Sequence, residues 1–112
     1  MVHVVVECEY EAPFDKKAWY AADLRLLPCL EAHGAKWIRS QVSLDGRRTI
    51  CEFEAPDAES VRTAYRKTDL AFQKVWISEV LDSSQDLAAW IEKPHSGISR
   101  IETFPSEVRT AE

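Results

Sequence analysis

Two glutamates, Glu7 and Glu52, are the side chains from which a reaction centre or a metal site could be built if the fold brings them together. Carboxylates held close raise one of the two pKa values, and such a pair can pass a proton or hold a hard cation. An imidazole from His3 would complete a metal-ligating set of His3, Glu7 and Glu52. Arg39 can sit beside Glu52, and Trp37 and Trp76 offer flat faces on which a planar molecule could stack. The candidate ligand-binding set is therefore Glu7, Trp37, Arg39, Glu52 and Trp76. Plainer readings of the same residues stay open. Arg39 and Glu52 could form a cross-strand ion pair worth under ~1 kcal/mol when exposed, and the tryptophans could be core or dimer contacts. No residue is singled out as catalytic.

The elements that must position these side chains centre on the stretch from Lys36 to Asp57, which reads as a β-hairpin. Asp45-Gly46 supplies the turn, because a two-residue hairpin loop needs positive φ at both positions and Asp-Gly tolerates it well. With Leu44 opposite Arg47, the register matches Ile38 to Phe53, Ser40 to Cys51 and Val42 to Thr49 on one face. The other face then carries Trp37 opposite Glu54, Arg39 opposite Glu52 and Gln41 opposite Ile50. The first face is mostly apolar and the second mostly polar, and a slip of one residue would mix the two sets.

Ahead of the hairpin, Val2 to Tyr10 alternates as a half-buried strand with His3, Val5, Glu7 and Glu9 on one side. Asp15 can cap a helix running through Trp19, Leu26, Leu27 and Leu30 to Gly34, with Pro28 removing one amide donor and expected to kink or briefly break it. After the hairpin, Pro56-Asp57 opens a second helix whose Ala58, Val61, Ala64 and Tyr65 share a face. Lys74 to Val80 reads as a last strand, its continuous apolar run leaving its orientation undecided.

The order βαββαβ specifies the α+β, ferredoxin-like sandwich: a four-stranded sheet, its first and third strands central, with both helices on one face. The other face is open, to be wetted, covered or packed against a second copy. Glu7 and Glu52 are expected at similar heights on the two central strands, read here as parallel. Residues 1–81 form this domain and residues 82–112 a C-terminal extension, irregular beyond a short helix. Ser83 or Ser84 is the expected cap of that helix, and Leu87, Trp90 and Ile91 its apolar stripe, suited to covering exposed surface.

Composition limits the partners. A net charge of −5 spread over 112 residues, without a basic stripe, argues against nucleic acid. No apolar run reaches the roughly 18 residues of a membrane helix, so no membrane partner is expected, and the chain reads as cytoplasmic. Cys8, Cys29 and Cys51 are odd in number and form no CxxC pair, which fits packed free thiols. Cys51 should face the core with Phe53, which argues against a nucleophile.

Cys29-Leu30-Glu31-Ala32, Gly34, Trp37, Arg39-Ser40, Asp45-Gly46-Arg47-Arg48, Cys51, Glu54-Ala55-Pro56-Asp57-Ala58-Glu59, Val61-Arg62 and Val75-Trp76 occur in this order. Together they resemble a small bacterial ferredoxin-like family of undefined function, commonly labelled nickel-binding proteins. The resemblance spans Val2 to Val80 and implies homodimerisation and a metal or small ligand held by the sheet. Nickel itself is disfavoured, because His3, His33 and His95 do not cluster in sequence and nickel prefers several imidazoles. Glu7, Glu9, Glu52 and Glu54 would suit a harder divalent cation such as manganese or magnesium. The expected function is a small dimeric binding protein that holds a small molecule or metal ion on the open face and serves a pathway as an accessory. The alternative is a small cofactor-independent enzyme of the dimeric α+β barrel type, oxygenase-like or cyclase-like.

Overall fold

The structure, a computed structural model, describes residues 1–93. The irregular stretch expected after Lys93, with His95 in it, lies outside the described residues. The chain divides into two compact units, one from Met1 to Val80 and one that begins at Leu81.

The first unit runs β1 (Val2–Glu9), α1 (Lys16–Ala32), β2 (Lys36–Val42), β3 (Arg48–Ala55), α2 (Ala58–Lys67) and β4 (Lys74–Ser78), with sheet order β2-β3-β1-β4. All neighbouring strands are antiparallel. This is the ferredoxin-like arrangement. It corrects one expectation: β1 and β3 are antiparallel. The first crossover makes β1 parallel to β2, and a hairpin partner of β2 must then run against β1. Val4, Val6 and Cys8 of β1 join Cys51, Phe53 and Ala55 of β3, Leu26 and Leu30 of α1, and Val61, Ala64 and Tyr65 of α2 in one buried cluster. Both helices therefore cover the same face of the sheet. The orientation of β4 is fixed by its register: Val75 lies opposite Val6 and packs on the core, which leaves Trp76 opposite Val5 on the open face.

Local chemistry sets the element ends. Asp15 accepts the Lys17 amide at 3.1 Å and caps α1, which continues through Pro28 without a break. The helix closes on Gly34 at φ +79°, with the Gly34 amide on the Glu31 carbonyl and the Ala35 amide on the Leu30 carbonyl, the paired bonds of a Schellman ending. A Cβ there would also stand 3.2 Å from Pro56 Cγ. Asp57 accepts from the Ser60 amide at 2.7 Å to start α2.

The hairpin departs from the expected form at both ends. The turn is built on Ser43, whose carbonyl accepts the Gly46 amide at 2.9 Å. Only Gly46 takes positive φ, at +72°, while the Asp45 carboxylate accepts from the Ser43 hydroxyl and the Arg47 amide. At the open end the ladder shifts between Trp37 and Arg39, so that Trp37 pairs with Phe53 and Lys36 with Glu54. The expected pairs Ile38–Phe53 and Trp37–Glu54 are displaced by this bulge, whereas Arg39–Glu52, Ser40–Cys51, Gln41–Ile50 and Val42–Thr49 stand as read.

The second unit contains α3 (Leu87–Glu92). Asp86, rather than either serine, caps it, its carboxylate accepting from the Ala88 and Ala89 amides. None of the six helix residues is buried.

Candidate functional site

Three rows of side chains cross the open face of the first unit. In the first, His3 lies between Glu54 and Ser78; in the second, Val5 lies between Glu52 and Trp76; in the third, Glu7 lies between Ile50 and Lys74. Glu7 and Glu52 thus occupy adjacent rows and not the same height, because antiparallel pairing sets Glu7 opposite Ile50. Each carboxylate has its own partners.

Glu52 is the centre of the face. Its Oε1 is 2.7 Å from His3 Nε2 and its Oε2 accepts from Arg39 Nε at 2.9 Å, while the residue is only 7% exposed. Burial pushes the Glu52 carboxyl up, but the hydrogen bonds from His3 and Arg39, with their charges, more than offset this and hold it below the usual carboxylate range. Glu52 is therefore a fixed anion at neutral pH, unsuited to donate a proton. Because an ionised carboxylate only accepts, His3 Nε2 must carry the proton, which leaves Nδ1 as the ring's other nitrogen. Arg39 is more than half exposed, so water screens its side of the bond.

In the third row, Glu7 Oε2 accepts the Trp76 indole N–H at 2.7 Å. A hollow of about 230 Å³ at this end of the sheet is lined by Glu7, Glu9, Gln41, Arg48 and Ile50, among others. Trp76 is 45% exposed. Trp37 is not beside it: with the register of Phe53, its indole N–H donates at 2.9 Å to Ser40 Oγ, which itself donates to Cys51 Sγ at 3.1 Å. Trp37 thus belongs with Ser40 and Cys51, and the two tryptophans do not make one stacking platform with Glu52.

Of the metal-ligating candidates, His3 and Glu52 are brought together and Glu7 is engaged elsewhere. Among the described residues no group of three or more His, Cys, Asp or Glu side chains is arranged to hold a metal ion. One chain offers a two-residue fragment of such a site. The thiols take no part: burial, and then the neighbouring Cys51, push Cys8 up to about 11, and burial raises Cys51 as well. Both stay protonated at neutral pH.

A second region escaped the sequence reading. Between α1 and the sheet lies a hollow of about 290 Å³, walled by Ala18, Trp19, Ala22, Asp23 and Leu26 of α1 against Cys8, Thr49 and Cys51 of the strands, with Tyr10, Phe14 and Tyr65 at its sides. The signal was present in outline. Positions 18, 22 and 26 recur at helical spacing along the hollow, and two of them are alanines, too small to fill it.

Residues 5–77 match the family described as nickel responsive protein, SCO4226-like. The chain belongs to the SCO4226-like family. The structure is similar to the crystal structure of SCO4226 from Streptomyces coelicolor A3(2), with a TM-score of 0.64 and 11% identity over 71% of this chain and 99% of that one. At that identity the likeness establishes the fold. No protein of curated function matches the sequence. The SCO4226-like match covers all of α1, β2, β3 and α2, and most of β1 and β4, so both hollows fall within it, as do Glu52 and Arg39, whereas His3 lies just ahead of it.

Proposed function

We propose that the chain is a small homodimeric binding protein that holds a small molecule or a metal ion on the open face of its sheet, as an accessory to a cytoplasmic pathway. The observation that carries this reading is the Glu52 cluster: a nearly inaccessible carboxylate, gripped by His3 and Arg39, on the face without helices. A merely wet surface gives no reason to assemble so closed a group. Ile50 and Trp76 leave apolar surface on the same face, which a second copy would cover. Pairing would also bring a second His3–Glu52 unit, turning a two-residue fragment into a four-residue set. In that set the histidines are the ligands, and Glu52 orients each ring through its Nε2–H, a common role for carboxylates behind a metal-bound imidazole. The family's description as nickel responsive supports a metal, although so few histidines keep nickel binding by one chain weak. Buried free thiols fit a reducing compartment.

Light scattering should give twice the chain mass, and titration calorimetry with nickel and with manganese should show binding that is lost in His3→Ala. A particle that stays monomeric at high concentration would remove the dimer. Metal binding undiminished in His3→Ala would remove the site.

A further inference from the structure

We propose that the hollow between α1 and the sheet is a second ligand site, one that takes a small aromatic amine: a single ring bearing an ammonium group. Its walls and its charge decide the class. At about 290 Å³ it stands at the lower end of the range of small-molecule pockets, too small for a nucleotide but sufficient for one ring and a short arm. Phe14 and Trp19 stack at a centroid distance of 5.7 Å, and Tyr10 meets Phe14 edge-on at 5.2 Å, so the mouth is framed by aromatic rings. Leu26, Leu70 and Tyr65 add apolar or aromatic wall. Tyr10 and Thr49 contribute a hydroxyl pair 3.3 Å apart.

Among the described residues, the charged groups along this wall are Glu9, Asp15 and Asp23, with no Lys, Arg or His. An anionic ligand would be repelled, and a cation attracted to carboxylates and ring faces together. Glu9 and Asp15 lie towards the chain's surface, where Asp15 caps α1. Asp23 differs. It sits on the inward stripe of α1, near enough to the Cys51 thiol and Tyr65 for its charge to raise both, and it has no hydrogen-bond or ion-pair partner among the described residues. Burial pushes its carboxyl above the usual range. An arriving ammonium would supply the missing counter-charge. The space itself depends on small residues, Ala22 above all, which is half-buried against the hollow and where a larger aliphatic side chain would add packing; the chain forgoes that gain and keeps the room open.

The test uses the full chain with three probes of nearly equal size: tyramine, 4-ethylphenol and 4-hydroxyphenylacetate. Binding is followed by calorimetry and by amide chemical-shift changes. Tyramine should bind at least tenfold more tightly than 4-ethylphenol, and 4-hydroxyphenylacetate not at all, with shifts centred on Ala18, Ala22, Asp23 and Thr49. Asp23→Asn should abolish the preference for the amine, and Ala22→Leu should abolish binding of both remaining probes while the thermal transition stays cooperative. Equal binding of the amine and the carboxylate, a preference that survives Asp23→Asn, or shifts confined to the open face would each overturn the proposal. So would the absence of binding by all three. Because no metal is added and His3 is untouched, the result stands apart from the open-face reading.

Discussion

The two faces of the sheet solve opposite problems. On the open face the two central carboxylates are satisfied: Glu52 takes His3 and Arg39, and Glu7 takes the Trp76 indole. On the covered face, where burial should be most complete, α1 leaves a hollow whose wall carries Asp23, without a partner among the described residues. Satisfied polar groups in a tight cluster hold strands in register and define a surface. A half-buried carboxylate with no protein partner among the described residues, set beside an apolar space, has the character of half an interaction. The comparison shows that exposure alone is a poor guide to where a small protein keeps its room for a ligand.

Three substitutions sharpen the contrast, the largest on the covered face. Phe53 is 1% exposed and meets Tyr65 edge-on at 6.2 Å, so Phe53→Ala should cost about 3–5 kcal/mol in urea unfolding. Next comes Glu52→Gln, which weakens the bonds from His3 and Arg39 and should cost about 1–2 kcal/mol at pH 7. The pH dependence has a definite sign. Glu52 has a folded-state pKa below its unfolded value near 4.5, so its contribution is fully present above that value and disappears as the pH falls through the folded pKa. The stabilities of wild type and Glu52→Gln, measured by thermal melting, should therefore converge in acid and separate towards neutrality. If they stay parallel across that range, the cluster is not what holds the face. The smallest effect has the opposite sign: Ala22→Leu should gain about 0.5–1 kcal/mol by filling the hollow, a shift of a few degrees in Tm. A loss there would mean the space is already closed in solution.

Much of this could be read from residue types. The face made by Ala58, Val61, Ala64 and Tyr65 is buried in the structure as its spacing required, because a 3.6-residue period admits few alternatives. The middle of the hairpin was equally constrained, since Arg39, Ser40, Gln41 and Val42 alternate cleanly. The bulge at Trp37 left no trace because Trp37-Ile38 is an apolar pair, and either residue satisfies a pattern that asks only for an apolar side chain. The expected Glu7–Glu52 pairing failed on strand direction, which reverses the heights along β3 while leaving each residue on the same face. Alternation fixes faces; it does not fix heights. The hollow was the least legible feature, because it depends on side-chain volume at Ala18 and Ala22, and hydrophobic patterning scores an alanine and a leucine alike.

The sheet order also governs when the protein can fold. β1 is made first and sits in the middle, yet one of its partners is β4, where His3 pairs with Ser78. Its apolar run from Val4 to Val6 must wait for nearly the whole first unit to be synthesised before both edges are paired. A chain whose central strand is closed by such distant contacts folds on the slow side for its size, in milliseconds or longer rather than microseconds. Until β4 docks, β1 presents a free edge flanked by valines, and that interval is when the chain most needs protection from its own copies.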